Sequence, residues 1–378
     1  MSISMRIVFF IVIVVLHIFI YFILFKNIST NPAMKHLGKC IVIANLLCII
    51  FFLRFYHGQL HPIIYTLMSS SIGIFWISFN IALIVCILNW GVYLGFGAIV
   101  LQHWQTAILV VAWATILLLI GLSFYINAKA PVTVEQTITI NNLKQPINIA
   151  HLSDIHIGTL MNEKKIAAIV KQTNKLHADI IVLTGDIVDS YSNFSIKAIE
   201  ELGKLKSKYG IYYVLGNHEY YYDTHTILHL LKRIGITPLV NQSMILRNLG
   251  INISGIADLV GERTVFKDNS LKPNLTKALE SNQANFPTIL LSHQPKIINF
   301  LTNEKIDLVL SGHTHGGQIF PFNFIVLLDQ PFLSGLNQFT YHDNNAQIYI
   351  SEGAGWWGMP MRLFSRRQIN LLHLIPNK

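Results

Sequence analysis

Apolar residues come in long blocks over the first third of the chain and in short runs after it. Residues 7–25 carry no charged side chain and are flanked by Arg6 and Lys26. Wound as a helix, such a block crosses a hydrocarbon core of about 30 Å, and it is too long for a cleaved signal peptide. A second block covers 37–55. After Arg54 no Lys, Arg, Asp or Glu occurs before Lys129, and within that gap 67–88 and 107–126 each predict a further span. The stretch between them, 91–104, is apolar but short and holds Gln102 and His103, which predicts an interfacial or re-entrant connection.

From about residue 130 each apolar run ends in a polar cluster. Residues 146–152 read as a strand ending at Ser153-Asp154-Ile155-His156, and an amphipathic helix follows over 162–176. The buried-strand pattern at 180–183 ends at Gly185-Asp186-Ile187-Val188-Asp189. A helix over 195–206 precedes a strand over 211–215, which ends at Gly216-Asn217-His218-Glu219. Two later strands end at Ser292-His293 and Gly312-His313-Thr314-His315. Alternating strands and helices predict a layered α/β fold, in which ligands gather at the carboxyl ends of strands.

Charge sharpens the division. The chain is 12% charged, against about 25% for an average soluble protein. Residues 1–128 hold five of the 28 basic residues (Arg6, Lys26, Lys35, Lys39, Arg54) and none of the 19 acidic ones. These counts predict a membrane domain over 1–128 with about four transmembrane helices, and a second domain over 129–378. The basic excess forms no stripe, which excludes a nucleic-acid partner. Cys40, Cys48 and Cys86 all fall in the apolar part, so the second domain has neither a disulfide framework nor a thiolate metal site. Arg6, Arg54 and Lys129 balance Lys26, Lys35 and Lys39 across the membrane, leaving orientation open. His17 is almost alone as an ionisable group within the spans, so these predict an anchor and not a transport path.

The polar clusters share one chemistry. Asp154, His156, Asp186, Asn217, His293, His313 and His315 offer carboxylates, imidazoles and an amide oxygen, which suit hard or borderline divalent ions. Seven ligands exceed what one tetrahedral ion needs and fit two ions bridged by a carboxylate. Glycines before Asp186, Asn217 and His313 let the backbone turn sharply at the strand ends.

Asp-x-His, Gly-Asp-x-x-Asp, Gly-Asn-His-Glu, a separate His and Gly-His-Thr-His together resemble the calcineurin-like metallophosphoesterases, over about residues 140–375. The runs Leu-Ser-Asp-Ile-His-Ile-Gly and Gly-His-Thr-His-Gly-Gly-Gln resemble the family's bacterial, membrane-associated branch. The resemblance implies an α/β four-layer (α/β/β/α) metallophosphoesterase sandwich beside the N-terminal all-α transmembrane helices, and a centre of two divalent metal ions (Mn, Fe or Zn). It assigns Asp154, His156 and His315 to one ion, Asn217, His293 and His313 to the other, and Asp186 to both. It makes His218 the proton donor to the leaving oxygen, oriented by Asp189. The chemistry it implies is attack on phosphorus by a hydroxide bridging the two ions, with no phospho-enzyme.

Two positions depart from the family. Protein phosphatases of this superfamily continue Gly-Asp-x-x-Asp with an Arg that grips phosphate, where this chain has Ser190-Tyr191, which argues against a phosphoprotein substrate. Near the end Arg366-Arg367-Gln368-Ile369 replaces a Pro-Glu-Ile-like stretch. The apolar segment 319–336, with Trp356, Trp357 and Tyr220 to Tyr222, reads either as packing or as a lip for an acyl chain or bilayer. The expectation is a multi-pass cell-membrane phosphodiesterase or pyrophosphatase with its catalytic domain on the cytoplasmic face, a phospholipid or lipid-linked phosphoester as substrate and the lipid bilayer as partner. The alternative is a catalytically silent receptor or scaffold on the same fold.

Overall fold

The computed structural model describes residues 3–26, 31–56, 60–190, 192–263 and 268–377, so Tyr191 lies outside the described residues. The chain divides into two compact units, Met1–Ala128 with Gly358–Met361, and Lys129–Trp357 with Arg362–Lys378.

The first unit is helical: α1 (Ile3–Ile20), prolonged by a π-helical turn over Tyr21–Phe25, then α2 (Pro32–Phe55) and α3 (Pro62–Ala128). Asn31 caps α2 by accepting from the Ala33 N–H, with Pro32 at the first helical position, where its missing N–H costs nothing. All three are long and apolar enough to cross a membrane. The connection expected over 91–104 is helical, with a break at Gly97 (φ 84°, ψ 174°). Apolar residues flank that break and continue the helix on both sides, and glycine alone takes such a φ without strain. His17 is buried, with Nδ1 2.8 Å from the Ile13 carbonyl and Nε2 3.0 Å from Asn45 Oδ1, and Asn45 Nδ2 donates to the Ser71 carbonyl at 3.1 Å. Phe75 stacks on the imidazole at 4.7 Å. Polar groups from all three helices thus satisfy one another inside the helical unit.

The second unit is a mixed α/β structure of two six-stranded sheets. Its elements run β1 (Val132–Ile140), β2 (Ile147–Leu152), α4 (Glu163–Asn174), β3 (Ile180–Thr184), α5 (Ser192–Leu202), β4 (Ile211–Val214), α6 (Thr224–Arg233), β5 (Thr237–Pro238), β6 (Gln242–Leu246) and β7 (Ile251–Gly255). They continue with α7 (Leu275–Leu279), β8 (Thr288–Leu291), β9 (Leu308–Ser311), α8 (Phe322–Val326), β10 (Gly335–Tyr341), β11 (Asn344–Ile350) and β12 (Gln368–Pro376). The first sheet has the order β1-β12-β2-β3-β4-β5 and the second β10-β11-β9-β8-β7-β6.

Strands β2 to β5 are parallel, as are β7, β8, β9 and β11. Parallel strands covered on both faces read as continuous apolar runs, and every residue of β3, β4, β8 and β9 is buried. One core cluster holds Ile149, Val182 and Val214 of the first sheet with Ile253, Ile289 and Leu310 of the second. A second cluster packs Ile166, Ile199 and Ile227 of α4, α5 and α6 against the first sheet through Ile181 and Leu183.

A histidine also lies in this interior. His151 of β2 is fully buried, with Nε2 2.7 Å from Thr184 Oγ1 and no partner for Nδ1. Burial lowers it to about 3 against a weaker opposing pull from Asp154. The unfolded ring, near 6.5, binds its proton first, so its contribution is complete above that pH and is lost as pH falls from about 6.5 toward 3. In detergent, the drop in melting temperature between pH 7.5 and pH 5 is therefore expected to be smaller for His151→Gln than for the unmodified chain, by roughly 2 kcal/mol of stability at pH 5. Equal drops would show that this ring does not carry the effect.

Candidate metal centre

The predicted site residues lie just beyond the carboxyl ends of five parallel strands drawn from both sheets. β2 leads to Asp154 and His156, β3 to Asp186 and Asp189, β4 to Asn217 and His218, β8 to His293, and β9 to His313 and His315. Asp154, His156, Asp186, His313 and His315 all have φ between 50° and 71°, where a side chain is strained. Five such residues in one site are held there by the surrounding hydrogen bonds and packing. Among the three glycines expected to turn the chain, only Gly185 has a positive φ (81°). At Gly216 and Gly312 the constraint is space, because a Cβ would collide with the carboxylates of Asp186 and Asp154.

Two groups of ligand atoms form. In one, His315 Nε2 lies 3.1 Å from His156 Nε2 and 3.4 Å from Asp154 Oδ1. In the other, His293 Nε2 lies 3.2 Å from Asp186 Oδ2, from Asn217 Oδ1 and from His313 Nδ1. Asp186 stands between them, with Oδ2 also 3.9 Å from His156 Nε2. All seven predicted ligands are therefore brought together.

The hydrogen bonding tests whether cations fit. His293 Nδ1 lies 2.7 Å from the Thr184 carbonyl and must donate to it, which leaves Nε2 of the neutral ring as a bare lone pair. That lone pair faces a carboxylate, an amide oxygen and another imidazole. Burial alone would lower His293, but the Asp186 carboxylate outweighs it and raises the ring well above its ordinary value. Burial would raise Asp186, yet the facing His293 and His218 rings hold it well below the carboxylate range. The position demands positive charge, and oxygen and nitrogen donors this close suit a divalent ion.

His218 stands beside these groups. Its Nδ1 is 2.8 Å from Asp189 Oδ1, and its Nε2 is 3.9 Å from Asp186 Oδ2. The Tyr222 hydroxyl donates to Asp189 Oδ1 at 3.0 Å, and His156 Nδ1 lies 3.5 Å from Asp189 Oδ2. Burial lowers His218, but Asp186 and Asp189 overcome it and raise the ring to about 9. With Asp189 fixing Nδ1–H, the second proton sits on Nε2, on the side of the metal ligands.

The sequence model of the family described as Calcineurin-like phosphoesterase matches residues 147–317, an interval that contains the seven predicted ligands together with Asp189 and His218. An uncharacterized metallophosphoesterase of Aquifex aeolicus is 32% identical over 220 residues, 58% of this chain and 81% of that protein. The chain belongs to the calcineurin-like metallophosphoesterases. An uncharacterized metallophosphoesterase of Helicobacter pylori is 39% identical over 254 residues, 67% of this chain and 66% of the relative. A Bos taurus protein described as a transmembrane protein with metallophosphoesterase domain is 36% identical over 282 residues, 70% of this chain and 62% of its own length. The matched region thus spans just under two thirds of the Helicobacter and Bos relatives.

Sequence reasoning missed two residues of this metallophosphoesterase centre. Arg362 is fully buried and donates to the carbonyls of His315, Glu352 and Gly355 at 3.1, 2.7 and 3.0 Å, clamping the loop that carries His315. Its only signal was an arginine within an otherwise apolar closing segment. Glu219 is also fully buried and accepts four backbone N–H groups, from Asp186, Ile187, Val188 and Gly216, at 3.1, 2.6, 3.0 and 2.8 Å. It knits the β3 loop to the β4 loop, and its signal was the last letter of Gly-Asn-His-Glu. An amide in its place offers one acceptor oxygen and turns N–H toward N–H. Glu219→Gln is expected to weaken Mn²⁺ binding about tenfold by titration calorimetry, the scale on which outer partners of metal ligands act. Unchanged affinity would show that the β3 loop holds Asp186 without it.

Proposed function

We propose that the chain is a membrane-anchored, metal-dependent phosphoesterase that cleaves a phosphodiester or pyrophosphate bond of a lipid-linked substrate. The observation that carries the reading is the convergence of seven oxygen- and nitrogen-bearing residues, Asp186 among them, with His218 alongside on Asp189. Two divalent ions, Mn, Fe or Zn, would supply Lewis acidity and an activated water. Asp154, His156 and His315 would hold one, Asn217, His293 and His313 the other, and Asp186 both. His218 gives its Nε2 proton to the leaving oxygen, and Asp189 keeps the ring oriented and stabilises its charged form.

The anchor completes the reading. At about 1.5 Å per residue, the 67 residues of α3 would far exceed one bilayer crossing, so with the break at Gly97 it reads as two. Together with α1 and α2 that gives four spans, an even number that returns the chain to its starting side, here taken as the cytoplasm. The α4 to α6 layer on the first sheet supports describing the catalytic unit as an α/β/β/α sandwich. Ser190, standing where related protein phosphatases carry a phosphate-gripping Arg, supports a small or lipid-borne ester over a phosphoprotein.

The test uses the full chain in detergent with Mn²⁺. Asp186→Asn is expected to abolish hydrolysis of bis-p-nitrophenyl phosphate. His218→Ala is expected to cost about 10²-fold or more on a diester with an alkyl leaving group. It should cost less on the p-nitrophenyl ester, because p-nitrophenolate departs without a proton. Full activity in both variants would remove the assigned site, and a purified chain that cleaves water-soluble diesters but no lipid-linked one would remove the lipid part of the reading.

A further inference from the structure

The second unit exposes an apolar strip that neither the core nor the metal centre uses. α8, of sequence FNFIV, has no buried residue. Phe324 within it is 60% exposed, and Leu328 just beyond it is 86% exposed. Phe320 packs its ring against Phe324 at 5.8 Å and Phe364 at 5.6 Å. Phe364 is 78% exposed and held at φ 60°. A bulky side chain in that conformation is a backbone outlier, and one facing water gains no burial in return.

The strip is stiff and leads to the centre. The Phe320 N–H donates to the Leu363 carbonyl at 3.1 Å, tying the segment after His315 to the segment carrying Phe364. Gln318 then bonds the Trp357 backbone twice, accepting from its N–H at 2.9 Å and donating to its carbonyl at 3.0 Å. Trp357 is half-exposed, and its ring lies 6.4 Å from that of His218. Between residues 319 and 336 the sole charged residue is Asp329, which pairs with Lys296 at 3.0 Å. The exposed cation Arg366 lies two residues beyond Phe364.

We propose that this strip, Trp357, Phe364, Phe320, Phe324 and Leu328, is a bilayer-docking surface inserted at the headgroup and acyl boundary. The occupant follows from the chain itself, which carries helices apolar and long enough to cross a membrane and passes from α3 into β1 through residues 129–131 alone. Aromatic rings with few charges and a flanking cation are the composition that settles at a lipid interface. If the lipid-linked reading above holds, the strip also deepens it: a substrate guided along it brings its phosphate to the side of the centre where His218 stands.

The test needs no hydrolysis, so its failure is separable from failure of the catalytic reading. In the full chain with Cys40, Cys48 and Cys86 replaced by Ser, single Leu328→Cys, Phe364→Cys and Lys208→Cys variants carry a polarity-sensitive fluorophore. The proteins are reconstituted in phosphatidylcholine and phosphatidylglycerol vesicles. Positions 328 and 364 are expected to emit blue-shifted and to be quenched by spin-labelled lipid. Position 208, exposed ahead of the amino end of β4, should do neither. Water-like emission at 328 and 364 would overturn the proposal. Blue-shifted emission without lipid quenching would also overturn it, assigning the surface to a protein partner or a second copy of this chain.

Discussion

A buried gathering of carboxylate, amide and imidazole groups that demands positive charge sets the terms for the catalytic unit. Once His293 Nδ1 is committed to the Thr184 carbonyl, its Nε2 faces Asp186, Asn217 and His313 at 3.2 Å, and only a proton or a metal ion there reconciles it with the carboxylate. Crowding of this kind in a buried site is unfavourable unless a cation joins it. The neighbouring structure serves to hold those groups together against their repulsion. The left-handed backbone at five site residues, the glycines that leave room for carboxylates and the four N–H groups gathered by Glu219 all oppose the same force.

Both sheets take part because neither alone supplies enough donors. The first sheet delivers Asp154, His156, Asp186 and Asn217 from β2, β3 and β4, and the second delivers His293, His313 and His315 from β8 and β9. The contact between the sheets is apolar, built from residues such as Val182 and Ile289. Packing that carries no chemistry therefore fixes the spacing of the ligands to within the few tenths of an ångström that coordination tolerates.

The legible parts of this architecture were those with local signatures. Buried parallel strands announce themselves as unbroken apolar runs, and the ligands follow each run directly, so Asp186 and His293 could be named from order along the chain. Arg362 could not be found this way, because its partners at His315, Glu352 and Gly355 come together only when the loops pack. Glu219 was visible as a letter of a motif but not as an acceptor for a loop more than thirty residues earlier. In the apolar part, residues 91–104 were too short for a span, and period alone gave no sign that helix would persist to either side of a single glycine at 97.

The place of β12 has a consequence for the order of events. This strand follows all the others in sequence, yet it lies between β1 and β2, pairing Val132 with Gln368 and Ile147 with Leu374. Until it arrives, β1 has no neighbour in its sheet and β2 has an open edge, with closure spanning more than two hundred residues of intervening chain. The segment immediately before β12 is the one that brings Arg362 to His315. The long apolar helices are synthesised first and the clamp on the metal ligands nearly last, so the segments long enough to cross a membrane are complete well before the loops of the candidate centre can close.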